Sequence, residues 1–144
     1  MLSRWDKDPT VRLAMVQRID PNHLHEMMAD PEWSVRIEVA KRINPSRLLE
    51  MMSDENWGVR LIVARRISNE VLGCMIRDTD PSCRRVVAER IDPSRLPEMM
   101  LDENWVIRRE VARRIHRRYL SPLLMRETQP DLLKILENLI NGRT

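Results

Sequence analysis

The side chains of this chain that could do chemistry are few, and most come in equally spaced copies. His23, His25 and Glu26 form its one ligand-like cluster. At alternate positions of a helical segment the two imidazoles point apart, so they are expected to be solvated rather than metal-binding. Cys74 and Cys83 lie outside any CxxC spacing and support neither a disulfide framework nor a four-thiolate site. Cys83 takes a slot held elsewhere by Val11, Val35 and Val59 and reads as core. Cys74 replaces Glu26, Glu50 and Glu98 and reads as an accessible, inert thiol. Gly58, Gly73 and Gly142 stand alone, which excludes loops that cradle nucleotide phosphates. One Tyr and no Phe leave no base-stacking platform.

What remains is a column of acids, Asp6, Asp30, Asp54, Asp78 and Asp102, and a column of guanidinium groups, Arg12, Arg36, Arg60, Arg84 and Arg108. An acid present in five equivalent copies belongs to a structural repeat rather than to one active site. No catalytic residue, no metal ligand set and no cofactor is expected.

The elements that position these columns are repeats. The segments VRLAMVQRI, VRIEVAKRI, VRLIVARRI, CRRVVAERI and IRREVARRI recur every 24 residues. In register with them run Arg18, Arg42, Arg66, Arg90 and Arg114, and Leu24, Leu48, Leu72, Leu96 and Leu120. One domain over 1–144 is expected, with repeats 6–29, 30–53, 54–77, 78–101 and 102–125 and a cap over 126–144.

Each repeat carries two helical pieces. In the second repeat a helix is expected from about Pro31 to Ile43, with Asp30 as N-cap and Val35, Val39 and Ile43 on one face. A shorter piece opened by Asn44-Pro45 carries Leu48, Met51 and Met52 and has room for a short α-helix or a 3₁₀ helix. Pieces this short cannot bury their apolar faces alone, so the fold class is all-α, a helical solenoid whose repeats share one core. Leu132, Leu133, Leu136, Leu139 and Ile140 define a last helix from Pro130, with Gly142 as its stop, that caps the fifth repeat.

Arg36 falls inside the apolar arc of its helix, where a charge needs a partner. The acid six residues upstream is the one present in every repeat, so the two columns are expected to pair as a ladder, Asp54 with Arg60 for example. Trp33, Trp57 and Trp105 are expected to pack between layers, because Trp33 and Ile37 lie one turn apart on the same arc. The paired Met residues of each repeat read as core filling.

The unit D-x-x-W-x-V-R-x-x-V-A-x-R-I-N-P-x-x-L-x-x-M-M, read from Asp30 to Met52, resembles the leucine-rich repeat variant family, with HEAT-like repeats as the runner-up. The resemblance implies a right-handed superhelix of alternating α- and 3₁₀-helices. Some members of that family carry an N-terminal four-cysteine iron-sulfur domain and are encoded near nitrogen-fixation genes. This chain has neither those cysteines nor that domain, so the resemblance implies no iron-sulfur cofactor here, while a client in the nitrogen-fixation machinery is among its implications.

The net charge of +3 is local, since residues 1–101 carry 16 basic and 16 acidic side chains and the excess falls in the fifth repeat. Phosphate tracking needs a basic stripe along the whole array, so a protein client is expected before nucleic acid. A nucleic-acid binder using the basic fifth repeat is the alternative. Function is sought where repeats differ: Ile62 and Val86 stand on the expected solvent side where Glu38 and Glu110 stand elsewhere, beside Arg65, Arg85, Arg109, Arg113 and Arg117. At the other end only Leu2 to Trp5 precede the first repeat, so Val11, Met15 and Ile19 are expected to form an open apolar surface for a second copy or a client. No apolar run approaches the roughly 18 to 20 residues of a membrane span and no signal peptide is visible, which points to a non-membrane, cytoplasmic protein.

Overall fold

The computed structural model describes residues 3–142, and among them every regular element is a helix. The chain forms two compact units, the first running to Val71 and the second starting at Leu72.

The first unit contains α1 (Pro9–Val16), α2 (Trp33–Arg42) and α3 (Trp57–Arg66), alternating with 3₁₀ helices over Pro21–Met27 and Pro45–Met51. A short α4 (Asn69–Leu72) follows and runs into a 3₁₀ turn over Gly73–Met75. The second unit contains α5 (Pro81–Arg90), a 3₁₀ helix over Pro93–Met99, α6 (Trp105–Arg114), a 3₁₀ turn over Arg117–Tyr119, α7 (Leu120–Arg126) and α8 (Pro130–Ile140). The short second piece of the repeat is therefore mainly 3₁₀. Its start follows the residues expected: Asp20, Asn44 and Asp92 accept hydrogen bonds from the main-chain N–H two residues on, at 2.9, 3.0 and 2.9 Å. In the fifth repeat His116 Nδ1 takes the same place, accepting from Arg118 N.

The long helices begin later than the sequence reading places them. α2 starts at Trp33 with Glu32 at its N-cap, not at Pro31 behind Asp30. The cap moves because the Asp30 carboxylate is occupied: Oδ1 accepts from Glu32 N at 2.9 Å, a tight side-chain turn ahead of the helix, and both oxygens take an arginine. Asn56, Asp80 and Asn104, two residues past the acid column, cap α3, α5 and α6 with their side chains.

In each unit one core runs through the layers. Val35, Val39, Ile43, Leu48, Val59 and Val63 are inaccessible or nearly so in the first, and Cys83, Val87, Ile91, Leu96, Ile107 and Val111 in the second. Gly58 permits close approach of α2 and α3, since a Cβ there would lie 3.0 Å from Ile37 Cδ1. α8 packs on α6 and α7, buries Leu132 and Leu136, and stops at Gly142 with φ of 72°.

The second arginine column closes helix ends. The last carbonyls of an α-helix have no intrahelical donor, and the helix dipole favours a cation beside them. Arg66 Nη1 donates to Ala40 O at 2.6 Å and to Ile43 O at 2.9 Å, and Arg114 donates to Ala88 O and Ile91 O at 2.5 and 2.8 Å. Arg42 does the same to Val16 O and Ile19 O. Each arginine thus caps the long helix of the preceding repeat. Arg66→Met is expected to keep the aliphatic packing, strand two half-buried carbonyls and cost about 1 to 2 kcal/mol in urea unfolding.

Candidate functional site

The acid and arginine columns form ion pairs, but between repeats rather than within one. Arg12 Nε donates to Asp30 Oδ2, Arg36 Nε to Asp54 Oδ2 and Arg84 Nε to Asp102 Oδ2, each at 2.8 Å. The partner lies 18 residues downstream. The second nitrogen completes a bidentate fork at 3.0 to 3.2 Å. Within its own repeat each arginine instead reaches the carbonyl oxygen of the upstream Asp: Arg36 Nη1 to Asp30 O at 2.7 Å, Arg60 Nη1 to Asp54 O at 2.8 Å. The expected pairing of the Asp54 side chain with Arg60 is thereby corrected. A side chain six residues on, at the second turn of the helix, faces back onto the main chain of the acid, while the acid side chain faces the preceding layer. The carboxylate hydrogen bonds hold Arg12, Arg36 and Arg84 above the usual guanidinium range.

Arg108 has no Asp 18 residues on, because Arg126 stands there. Its partner is Glu127, with Nε to Oε2 and Nη2 to Oε1 both at 2.8 Å. Glu127 Oε1 also accepts from Gln129 N at 2.9 Å, as each ladder Asp accepts two residues on. One residue later and one methylene longer, Glu127 ends the ladder as another Asp would.

Shallow cavities lie over the ladder, of 350 Å³ beside Asp6, Arg12 and Asp30, 340 Å³ beside Asp78, Arg84 and Asp102, and 260 Å³ beside Asp102, Arg108 and Glu127. The carboxylates of Asp30, Asp102 and Glu127 there are already bonded to Arg12, Arg84 and Arg108. Glu55 and Glu103 stand exposed, 3.6 and 3.5 Å from Arg36 and Arg84. Among the described residues no three His, Cys, Asp or Glu side chains converge on a metal position, and no helix is long and apolar enough to cross a membrane.

The surface residues expected to bind a partner are scattered. Val86 is only 8% exposed, so its place on a solvent face is corrected. Its column points toward neighbouring helices rather than outward, since the Glu110 side chain at the equivalent position is only 13% exposed and lies among Arg109, Arg113 and Arg85. Ile62 is half-buried, and Arg65 is exposed. Arg85 pairs with Glu89 at 3.2 Å, Arg109 lies over the Trp105 ring, and Arg117 donates to Ile140 O. Trp5 is exposed and Val11 half-buried, whereas Ile19 is buried beneath Arg42, against expectation. Leu2 lies outside the described residues.

Sequence reasoning misplaced two tryptophans of the column, while Trp105 is half-buried with Arg109 over its ring. Trp33 and Trp57 are 50% and 51% exposed, each at the first residue of its helix, so they are surface groups and not layer packing. As the first residue of its helix each ring has no preceding helical turn to cover it, and half of it remains in water. Ile37 lies one turn beyond Trp33 and touches the start of α3 at Gly58, so the two indoles belong to one edge of the first unit.

Repeats tied by charged forks, with exposed indoles at equivalent helix starts, define a helical repeat protein. A solved structure described as a leucine-rich repeat variant with a novel repetitive protein structural motif superposes with a TM-score of 0.87 at 34% identity, over 98% of this chain and 58% of that one. The fold of this chain is the all-helical solenoid of that type, and its repeats are similar to leucine-rich repeat variant repeats. The chain spans 58% of the length of that protein. No family model and no curated protein matches the sequence.

Proposed function

We propose that this chain is a non-enzymatic, cytoplasmic scaffold that docks on a larger protein through the aromatic edge of its first unit. The observation that carries the reading is the half exposure of Trp33 and Trp57 at equivalent places in consecutive repeats. Large aromatic rings held on rigid helices present contact area at little entropic cost and are enriched among residues that dominate binding energy. The repeated charged groups, by contrast, have structural work. Arg108 is bound to Glu127, Arg114 to two carbonyls and Arg117 to a third, and Arg109 and Arg113 share Glu110. That weighs against the basic fifth repeat as a phosphate-tracking surface.

The family resemblance directs the first search for a client to the nitrogen-fixation machinery. The test is comparative capture from the native cell, with the purified client then titrated against wild type and Trp33→Ala/Trp57→Ala. The double variant is expected to keep its helical circular dichroism and melting temperature and to bind at least about tenfold more weakly. Undiminished affinity would remove the aromatic edge from the interface. Tight, steeply salt-dependent binding to a duplex DNA probe would instead assign the function to the fifth repeat.

A further inference from the structure

We infer that a cleft on the second unit, between the 3₁₀ helix Pro93–Met99 and the 3₁₀ turn Arg117–Tyr119, takes an acidic peptide segment of a partner protein. A carboxylate of the segment meets Arg118, and the apolar side chain next to it packs on Pro93, Pro97 and Tyr119. The inference does not rest on the Trp33–Trp57 edge, which belongs to the other unit.

The cleft forms where the fifth repeat departs from the others. In the fourth repeat Asp92 caps the 3₁₀ piece and Glu98 accepts from Arg95 Nε at 2.7 Å; in the second, Asn44 caps it and Glu50 accepts from Arg47 Nε at 2.9 Å. In the fifth repeat His116 stands at the cap, Tyr119 replaces the arginine and Pro122 replaces the glutamate. Arg118 stands where Asn22, Ser46, Glu70 and Ser94 stand elsewhere. At one place, therefore, carboxylates leave the repeat and a guanidinium and an aromatic ring enter it.

The result is a cavity of 460 Å³ that, among the described residues, no carboxylate lines. Asp92 adjoins it in the chain, but its carboxylate is taken by Ser94, accepting from N and Oγ at 2.9 and 2.6 Å. Arg118 is exposed yet held in place: its guanidinium carbon lies 4.9 Å from the centre of the Tyr119 ring, and Nη2 donates to the Tyr119 hydroxyl at 3.1 Å. Its other side-chain N–H groups are left for an acceptor. His116 Nδ1 accepts from Arg118 N, so the neutral imidazole carries its proton on Nε2 and supplies a further donor. A guanidinium fixed in advance lowers the ordering cost of a bidentate pair with a carboxylate.

The neighbouring arginines decide which anion fits. Arg114 is spent on Ala88 O and Ile91 O, Arg117 on Ile140 O and Arg95 on Glu98. One uncommitted guanidinium suits one carboxylate, whereas a run of phosphates needs several bases. The cleft is also open. Pro93, Ser94, His116 and Arg118 are all exposed, so it does not enclose a free small molecule as ligand pockets do, and it suits a side chain carried by a larger partner.

The probe is a short acetylated and amidated peptide of alternating leucine and glutamate, titrated into the isotopically labelled chain and followed by amide shifts in NMR spectra. Saturable shifts at Ser94, Arg118 and Tyr119 are expected. Arg118→Gln, and separately a peptide with glutamine in place of glutamate, are each expected to weaken binding at least about tenfold. Arg85→Gln, which removes an exposed arginine on α5, and Trp33→Ala/Trp57→Ala are expected to bind the peptide as wild type does. The inference is overturned if the shifts do not saturate, if the glutamine peptide or Arg118→Gln binds as tightly, or if Arg85→Gln weakens binding as much as Arg118→Gln. Free 4-methylpentanoate binding as tightly as the peptide would overturn the peptide as the source of the carboxylate. A single-stranded oligonucleotide shifting the same amides at lower concentration would overturn carboxylate recognition in favour of phosphate.

Discussion

Asp54→Ala is expected to destabilise the protein by about 3 kcal/mol, a fall of about 10 °C in melting temperature for a chain of this size. Both partners of the fork are buried, with the Arg36 side chain 8% exposed and that of Asp54 9%. Removing the carboxylate leaves Arg36 Nε and Nη2 without acceptors in a place water reaches poorly, and an unpaired buried cation costs more than the pair contributes. The Asp30 and Pro31 carbonyls still hold Nη1, and Glu55 stands 3.6 Å from Nη2, which keeps the loss from growing further. Asn56 N also loses its 2.8 Å acceptor. Asp54→Asn keeps that acceptor and a neutral partner for the guanidinium, so its cost should fall below half that of the alanine variant. Equal urea midpoints for wild type and Asp54→Ala would mean that the fork contributes nothing net. Arg60 is not the residue at risk, because its bond is to the Asp54 main chain, which the substitution preserves.

That difference shows what was legible in the residues alone. The period, the two helical pieces, the core positions and the terminal cap follow from spacing, because a strict 24-residue register admits one way to share a core. Which acid meets which arginine does not. Sequence separation favours the partner six residues away over the one 18 away, and only the offset between layers brings the distant one nearer. The misplacement of Trp33 and Val86 has a similar origin: a helical wheel built on a helix starting at Pro31 has one face, whereas stacked layers have neighbours on several sides. Val86 lost its solvent to those neighbours. Trp33 keeps half its surface in solvent because it opens its helix and has no preceding turn to cover it. The carbonyl-capping role of Arg42, Arg66 and Arg114 had a signal in its invariance with the period, but no acid in register with it to suggest a partner.

Glu127→Gln is expected to cost a similar amount, about 3 kcal/mol at neutral pH, and its pH dependence identifies the cause. The carboxylate side chain is 1% exposed and takes both arms of Arg108 together with the N–H groups of Thr128 and Gln129. The Arg108 hydrogen bond, more than the main-chain donors, holds Glu127 below the usual glutamate pKa in spite of burial. A carboxyl group lowered on folding stabilises the native state fully above its unfolded value, and loses that contribution as the pH falls through the folded value. The gap in unfolding free energy between wild type and Glu127→Gln should therefore be full at neutral pH and shrink steadily on acidification below about pH 4.3. A gap that stays constant down to the lowest pH at which the protein folds would show that shape, not charge, makes Glu127 the end of the ladder. Because Glu127 joins α6 to the segment entering α8, its loss should also loosen the cap: amide exchange is expected to rise first around Leu132 and Leu136, ahead of the core of α5.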